Sequence, residues 1–332
     1  TSVFGRFAKS PACRGFSRVM IMIMKNIPHP IQYQGSKRNL AAAILGYFPK
    51  DVDRLIEPFA GSAAISIAAA ARQLATCYVI NNVNKPLVEL LRLMVEQPTE
   101  TADYYEQIWN GQLTEDSPSH YYQMRDAFNR SQDPRLFLYL LARCVKGAVR
   151  YNADGMFNQS PDKRRKGTRP ATMRSNVVGV SALLQGKSAF SALDYRDVLQ
   201  TATIDDLVYM DPPYQGVCGE HDSRYLSGID HHEFVLALES LNERDIAYVV
   251  SYDGRRGDKA FGELLPNYLE LSRIELLAGR SSQSTLLGRA EMTYESLYLS
   301  PALVQKRVLP ASRGHAFPMH PHYVPEVNAH YV

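Results

Sequence analysis

The sequence is poor in cysteine and has no long apolar run, and each shortage excludes a class of protein. Its four cysteines, Cys13, Cys77, Cys144 and Cys218, show no CxxC spacing, so we expect ordinary thiols in a reducing cytoplasm rather than a zinc site or a disulfide framework. No apolar run approaches the roughly 20 residues that a membrane span needs. Because the net charge is only +3, a nucleic-acid partner would have to be held by local clusters of Lys and Arg.

The two ends of the chain differ in composition from the rest. Residues 1–24 contain four basic residues, no acidic residue and a short apolar run, which is typical of an organellar transit peptide. We favour an extension upstream of the domain instead, because Met24 directly precedes the first recognisable motif. Residues 305–332 are rich in His and Pro and lack any period, which predicts an irregular tail.

Hydrophobic periodicity predicts an α/β fold with a helical insert. Strands alternate with helices in the first and last thirds, which indicates a mostly parallel sheet covered on both faces. Seven strands are expected, at 54–56, 76–81, 189–193, 206–210, 246–251, 268–275 and 293–300. The last two leave no room for a crossover helix and predict a terminal antiparallel hairpin. Helical patterns at 102–110, 119–129 and 134–150 predict an inserted domain over 98–186, within an α/β domain formed by 25–97 and 187–304.

The strand at 206–210 runs directly into the sequence Asp-Pro-Pro-Tyr at Asp211, Pro212, Pro213 and Tyr214. The carboxyl ends of parallel strands are where α/β sheets bind ligands. There a target amine could donate hydrogen bonds to the Asp211 carboxylate and the Pro212 carbonyl, while Tyr214 stacks on a base. A simple proline turn after a buried strand would explain the two prolines, but it needs neither the Asp nor the Tyr.

The first strand ends in a turn of small residues, Glu57-Pro58-Phe59-Ala60-Gly61-Ser62-Ala63, and an apolar helix follows. Such a turn lets a ligand approach the backbone and the positive end of the helix. Tight strand-to-helix turns require glycine for their own geometry, however, so this motif alone is a weak indication of a cofactor site.

Together, the two motifs resemble the Dam-like, D12-type class of DNA adenine methyltransferases, in which a cofactor motif precedes the DNA-recognition region and DPPY follows it. The resemblance includes the sequence QYQGSK at 32–37 and covers about residues 30–300. It implies a Rossmann-like methyltransferase fold, S-adenosylmethionine as cofactor, no metal, and methyl transfer to N6 of an adenine flipped out of duplex DNA. The implied cofactor-binding residues are Tyr33, Lys37, Glu57, Phe59, Gly61, Asn82, Asp194 and Asp211, and the catalytic residues are those of the DPPY motif.

Two positions depart from the family's pattern. Ala63 stands where the family usually has Gly, a small change that we expect to crowd the turn. Asn82 stands where the family has an acidic residue that holds the ribose hydroxyls of the cofactor. An amide accepts one hydroxyl but loses the charge-assisted pair, so we expect weaker cofactor binding by about 1 to 2 kcal/mol. Asp194 and Tyr195 are expected beside the adenine ring of the cofactor, with a simple helix cap as the equal alternative.

The predicted DNA-binding residues lie in three segments. Tyr151 and Asn152 match residues that the family places near the flipped base, and Arg150 directly before them is expected to bind DNA. A basic cluster follows, suited to phosphate contacts and guanine recognition, although a solvated loop is the alternative; it comprises Lys163, Arg164, Arg165, Lys166 and Arg169. By analogy, the loop before the last strand would clamp phosphates, and its residues are Arg280, Ser281, Ser282 and Gln283.

Other interpretations remain open at this stage. The spacing of His221, His231 and His232 matches no closed metal site, and we expect the last two to begin a helix over 230–242. Methylation of cytosine N4 uses similar chemistry, but the motif order and Asp211 favour adenine. RNA and protein-glutamine methyltransferases more often have Asn at the first motif position. A DNA-binding relative with decayed catalysis is supported by Asn82 alone. We expect a cytoplasmic protein of prokaryotic or phage type. Its partner could be a restriction endonuclease that acts on the same DNA site.

Overall fold

The structure is a computed structural model that describes residues 26–114, 117–213, 229–256, 259–261, 264–280 and 292–308. A central sheet has the strand order β3-β2-β1-β4-β5-β8-β7, with the short β6 paired to the end of β5. Strands β1 to β5 pair in parallel, and β8 runs antiparallel between β5 and β7. The strands are β1 Val52–Glu57, β2 Ala75–Asn81, β3 Ser188–Ser191, β4 Leu207–Met210, β5 Ala247–Arg256, β6 Lys259–Phe261, β7 Ser272–Arg280 and β8 Met292–Leu299.

The predicted mostly parallel sheet with a terminal antiparallel hairpin is confirmed. One strand was placed too early: the sequence predicted 268–275, whereas β7 begins at Ser272. Residues Asn267–Leu269 form a turn of 3-10 helix instead, and Glu270 takes a left-handed φ of 55° that ends it. The apolar side chain of Leu269 is buried in that turn, which explains why the segment has the hydrophobicity of a strand.

Alternation along the strands divides the interior between the two faces of the sheet. Leu55 of β1 and Tyr209 of β4 belong to the larger core cluster, whereas their neighbours Ile56 and Val208 belong to the smaller one on the opposite face. This follows from the period of two in a strand, which sends successive side chains to opposite faces. Both faces are therefore covered, as the continuous apolar runs of the strands predicted.

Helices cover both faces. The larger cluster is formed with α1 to α7, and the smaller with α8 and α9. The helices are α1 Ala41–Ile44, α2 Ala64–Ala71, α3 Lys85–Glu96, α4 Pro98–Thr114, α5 Ser117–Ser131, α6 Pro134–Arg143, α7 Pro170–Leu184, α8 Tyr195–Gln200, α9 His231–Glu243 and α10 Pro301–Val308. Four of them begin at a side-chain cap that accepts a backbone N–H, and these caps are Asn84, Asp133, Asp194 and Asp230.

The middle segment is helical, as predicted, but its third helix is shorter. The prediction extended this helix to residue 150, whereas α6 ends at Arg143 because Cys144 is extended and Lys146 has a left-handed φ of 59°. The chain then passes close to the amino-terminal motif, with Gly147 accepting a hydrogen bond from Gln34 N at 3.0 Å. Helix α7 packs against α2 and α3, so the insert shares its core with the sheet. The domain limits at 98 and 186 stay predictions.

The predicted extension at 1–24 lies wholly outside the described residues, as does most of the predicted irregular tail. Helix α10 runs to Val308, so the expectation of an irregular segment beginning at 305 is corrected by one helical turn. Among the described residues, no helix is both long and apolar enough to cross a membrane.

Candidate active site

A cavity of about 320 Å³ opens at the carboxyl ends of β1, β2 and β4. All eight residues predicted to bind the cofactor line it, although they come from five separate segments of the chain. Pro212, Pro213 and Tyr151 line it as well. The structure thus brings the two sequence motifs together at the edge of the sheet where α/β folds bind ligands.

The turn after β1 forms the floor of this cavity. Glu57 is buried and its carboxylate accepts hydrogen bonds from the backbone N–H of Ser66, at 2.9 Å, and from the Ser66 hydroxyl. Gly61 has a φ of 51°, and a side chain there would meet the Tyr33 ring at 3.1 Å. Tyr33 therefore packs directly on the turn, which explains the need for glycine at this position.

Ala63 departs from the expectation that it would simply crowd the turn. It has a left-handed φ of 53° at the start of α2, a conformation that costs a residue with a side chain about 1 to 2 kcal/mol. Glycine would adopt the same φ without that cost. The difference from the family pattern is therefore one of backbone conformation.

Burial changes the ionisation of Glu57. Loss of solvation raises the pKa of its carboxyl to about 7, the hydrogen bonds from Ser66 oppose that rise, and the nearby charge of Asp211 adds to it. An acidic side chain that is half protonated near neutral pH is poised to ionise when a cation binds beside it. The floor of the cavity can therefore receive a positively charged group.

Lys37 joins two carboxylates beside the cavity. Its ammonium lies 3.0 Å from Asp211 Oδ1 and 2.8 Å from Glu295 Oε1. Burial alone would lower the pKa of Lys37, but the charges of Asp211 and Glu295 raise it well above the ordinary value. Lys37 is therefore a permanent cation that links Asp211 to Glu295.

Asp211 lies at the end of β4 with its side chain 20% exposed. Burial raises the pKa of its carboxyl to about 6, Lys37 lowers it, and Glu295 raises it further. Tyr209, two residues earlier on the same face of β4, also lines the cavity. Its buried hydroxyl has no hydrogen-bond partner among the described residues, and burial raises its pKa well above the usual value. A polar ligand in the cavity would satisfy this hydroxyl.

Three asparagines, Asn81, Asn82 and Asn84, lie at the carboxyl end of β2 and have different surroundings. Asn81 is buried and bonds to backbone atoms of Pro58 and Leu193, which ties β2 to its neighbours. Asn82 is half-buried in the cavity wall, and its Oδ1 accepts a hydrogen bond from the backbone N–H of Asn84 at 2.9 Å. Asn82 therefore belongs to the cavity wall, and its expected contact with the ribose of the cofactor stays a prediction.

Asp194 both caps a helix and lines the cavity, so its two interpretations are compatible. Its carboxylate accepts a hydrogen bond from the backbone N–H of Arg196 at 2.9 Å and forms an ion pair with the Arg196 guanidinium. Next to it, the Tyr195 ring lies 5.1 Å from Phe59, which also contacts Phe234. This aromatic group gives one end of the cavity a flat apolar wall, suited to a planar ring.

The first of the three segments predicted to bind DNA, at 150–152, begins a tight hairpin whose Tyr151 lines the cavity. Tyr151 is buried, pairs with Phe157 through a β-bridge, and its hydroxyl lies 3.0 Å from Asn84 Nδ2. Asn152 caps the turn by accepting the backbone N–H groups of Asp154 and Met156. The tip at 152–156 is exposed. Arg150 is exposed just before the hairpin, so this segment presents a polar tip beside the cavity.

The basic cluster lies on an exposed loop whose backbone is fixed to α4 and to the end of α6. The carbonyls of Lys166 and Thr168 accept hydrogen bonds from Gln112 and Tyr105, at 3.0 and 2.5 Å. Asp162 Oδ1 accepts the backbone N–H groups of the next two arginines. The exposed basic residues are Lys163, Arg164, Arg165, Lys166 and Arg169. None of the five lines the cavity, and they lie exposed on a fixed loop, a suitable arrangement for contacts with a polyanion.

The remaining predicted residues have less structural information. Tyr214, His221, Ser281, Ser282 and Gln283 lie outside the described residues, and Arg280 is described only as the last residue of β7. His231 and His232 begin α9 behind the Asp230 cap, as predicted. In the described ranges, no group of three or more His, Cys, Asp or Glu side chains is placed to hold a metal ion.

Comparison with known proteins gives the chain a family. A family model described as "D12 class N6 adenine-specific DNA methyltransferase" matches residues 33–274, which is more than half of the chain. The chain belongs to this family.

Curated proteins named as DNA methyltransferases are similar to this chain at 26 to 27% identity. DNA N-6-adenine-methyltransferase of Escherichia phage P1 is 26% identical over 265 residues, covering 76% of this chain and 33% of the relative. Modification methylase StsI of Streptococcus sanguinis is 27% identical, covering 60% of this chain and 30% of the relative. DNA adenine methylase of Escherichia coli (strain K12) is 27% identical, covering 55% and 64%. The chain thus matches about a third of the first two relatives and less than two thirds of the third.

For this D12-class chain, sequence reasoning missed three residues of the site. Tyr209 could have been found, because the period of two in a strand places it on the same face as Asp211. Ser62, whose hydroxyl lies 3.0 Å from that of Ser36, lay within a motif that had already been singled out. Glu295 had no local signal, because its partners Lys37 and Ser251 are distant in sequence and meet it only in the folded sheet.

Proposed function

We propose that this protein is a DNA adenine methyltransferase that uses S-adenosylmethionine to methylate N6 of an adenine flipped out of the duplex. One observation carries the proposal above all: Asp211 and Pro212, on a D12-family fold, line the same cavity as the turn at Glu57–Gly61. A methyl donor and a target amine bound in one cavity would be held in line for transfer, and alignment is the main requirement of that reaction.

The polar and aromatic groups of the cavity suit S-adenosylmethionine. Glu57 offers a carboxylate that can pair with an ammonium group, and the Phe59 and Tyr195 rings offer a wall for an adenine. The hydroxyls of Tyr195 and Tyr209 are buried without partners among the described residues, as expected of a site that bonds to a ligand. When bound, this cofactor supplies an electrophilic methyl group on a positively charged sulfur.

The reaction leaves the protein the tasks of orientation and charge stabilisation. Asp211 Oδ2 and the Pro212 carbonyl would accept the two hydrogens of the target amine, which directs the nitrogen lone pair at the methyl carbon. Transfer would form the N–C bond while the C–S bond breaks and leaves its electron pair on sulfur. Positive charge would develop on the amine next to the Asp211 carboxylate, which would stabilise it until a proton of the amine passes to solvent.

Binding of duplex DNA would use the hairpin tip at 152–156 and the basic loop. The loop supplies five exposed cations on a fixed backbone, and phosphate contacts of this kind provide most of the affinity for DNA without reading its sequence. Tyr151 connects the hairpin to the cavity through Asn84. A base flipped into the cavity would therefore pass beside the hairpin.

A cytoplasmic site of action, where a prokaryotic or phage DNA substrate would be found, fits this proposal. One relative carries the name of a modification methylase, and a restriction endonuclease for the same site is proposed as a possible partner on that basis.

Asp211→Ala tests the proposed mechanism. We expect transfer of radiolabelled methyl groups from S-adenosylmethionine to duplex DNA to be abolished, because the amine loses its charged acceptor, while DNA affinity measured by a mobility shift stays near that of the wild type. Asp205→Ala is the matched control, since Asp205 is exposed before the opposite end of β4. Methyl transfer at the wild-type rate by Asp211→Ala would contradict the mechanism.

A further inference from the structure

A continuous series of polar contacts connects the centre of the sheet to the catalytic motif. Ser251 Oγ donates to Glu295 Oε1 at 2.8 Å, Glu295 Oε1 lies 2.8 Å from Lys37 Nζ, and Lys37 Nζ lies 3.0 Å from Asp211 Oδ1. Only the last two residues belong to the cofactor and catalytic motifs identified in the sequence. Ser251 and Glu295 lie on β5 and β8, outside those motifs.

The fold holds these groups where water screens them poorly. The side chains of Lys37 and Glu295 are only 8% and 13% exposed. Register between β5 and β8 shifts between Ser251 and Gly254, which is how Glu295 comes to stand opposite Gly254 while its side chain reaches Ser251. Charges in such a place interact strongly, because the local dielectric is low.

From this arrangement we infer that Glu295 is a positioning residue for methyl transfer. Glu295 holds Lys37 against Asp211 Oδ1 and offsets part of the charge of Lys37, so that Asp211 is both oriented and a strong acceptor for the target amine. The inference rests on the function proposed above.

The charges around Asp211 explain why a second carboxylate is useful. Lys37 faces Asp211 from the 3-10 turn at 37–39, Glu295 from β8, Glu57 from the end of β1, and Tyr209 from β4. With Asp211 as its only carboxylate partner, Lys37 would draw the negative charge of Asp211 toward itself and weaken its hydrogen bonds to the amine. Sharing Lys37 with Glu295 leaves Asp211 Oδ2 free to act as the acceptor.

Two substitutions separate the charge of Glu295 from its size. Glu295→Gln keeps the shape and the hydrogen bond from Ser251 but removes the charge, whereas Glu295→Asp keeps the charge on a shorter side chain. We expect kcat at saturating cofactor and DNA to fall with Gln by about ten- to a hundredfold, the scale on which a misplaced reacting group acts. The Asp variant should recover part of that loss. A merely structural role would give the opposite order, because Gln fits the space better than Asp.

A second readout does not depend on activity. Carbon-13 NMR of aspartate carboxyls, with Asp211→Asn to assign the signal, should show a lower pKa for Asp211 in Glu295→Gln than in the wild type, because a neighbouring negative charge has been removed. Glu275→Gln is the control for both readouts. Glu275 lies on β7 opposite Ser296, so its side chain projects from the other face of the sheet, and both kcat and the pKa of Asp211 should stay unchanged.

Each outcome decides something. The order wild type, Asp, Gln in kcat, together with the lowered pKa, supports the inference. A Gln variant that matches the wild type, exceeds the Asp variant, or leaves the pKa of Asp211 unchanged overturns it while the proposed function stands. Wild-type protein that methylates no DNA overturns the proposed function and this inference with it.

Discussion

The acidic residues of this site have higher pKa values than exposed carboxyls, because burial disfavours their charged form. Glu57 and Asp211 both have raised pKa values, close to 7 and 6, and desolvation is the largest cause for each. Lys37 keeps its charge because two carboxylates surround it. The cavity therefore combines a permanent cation with acids that ionise near neutral pH, a combination that is common where proteins bind and transform charged ligands.

The protonation of Glu57 predicts a pH-dependent stability in the cofactor-free protein. The pKa of Glu57 rises from 4.5 to about 7 in the folded protein, so between these values the unfolded chain ionises while the folded protein keeps its proton. Stability relative to Glu57→Gln should therefore fall as pH rises through this window, by about 3 kcal/mol in total. Urea denaturation at pH 4.5 and 8 measures the effect. Glu270→Gln, at an exposed position, should have the same pH dependence of the free energy of unfolding as the wild type. The same pH dependence in Glu57→Gln and wild type would disprove the raised pKa of Glu57.

Asn82→Asp should tighten the binding of S-adenosylmethionine. The carboxylate keeps the hydrogen bond from Asn84 N and adds a charged acceptor for the ribose hydroxyls, worth about 1 to 2 kcal/mol or roughly five- to thirtyfold in Kd. Isothermal titration calorimetry measures the change. Asn267→Asp adds the same charge at an exposed position outside the cavity and should leave Kd unaltered. Weaker or equal binding by the Asn82 variant would show that Asn82 does not face the ribose.

At the scale of structural elements, the sheet was predictable and the loops were not. Strand runs such as 206–210 carry their own hydrophobic signal, and most end within two residues of the prediction, whereas β5 and β7 each continue five residues beyond the predicted ends at 251 and 275. Helix α6 was overextended because Val145, Ala148 and Val149 continue the apolar pattern after the helix stops. Gly147, Ala148 and Val149 are buried, and Gly147 lies against the backbone of Gln32 in the amino-terminal motif, a tertiary contact that no local pattern reveals. The role of Glu295 was hidden for the same reason, since its partners come from other elements.

The basic loop predicts how DNA binding depends on salt. Replacing Arg164 and Arg165 together with Ala should weaken binding and reduce the slope of log K against log salt by up to about two, if both contact phosphates. Fluorescence anisotropy over a range of salt concentrations measures the slope. A matched double variant removes Arg92 and Arg174, which are held in ion pairs on α3 and α7, and should leave the slope unchanged. A wild-type slope for the loop variant would assign these arginines to solvent.

At the scale of the whole molecule, the order of segments along the chain becomes a spatial arrangement. The turn at Glu57 and the motif at Asp211 come from opposite sides of the helical segment in sequence, and β1 and β4 pair side by side in the sheet. The segment between them packs on one face and sends its hairpin to the mouth of the cavity. Under the proposed function, the cavity would receive the cofactor at the ends of the strands and the flipped base beside Tyr151 of the hairpin.

The identity of the modified base tests the central claim most directly. Duplex DNA incubated with this protein and S-adenosylmethionine, then digested to nucleosides and analysed by mass spectrometry, should contain N6-methyladenine, and DNA treated with Asp211→Ala should not. Family membership and the order of motifs favour adenine, whereas the amine chemistry at Asp211 would serve either base. Appearance of N4-methylcytosine in place of N6-methyladenine, or of no methylated base at all, would contradict the account.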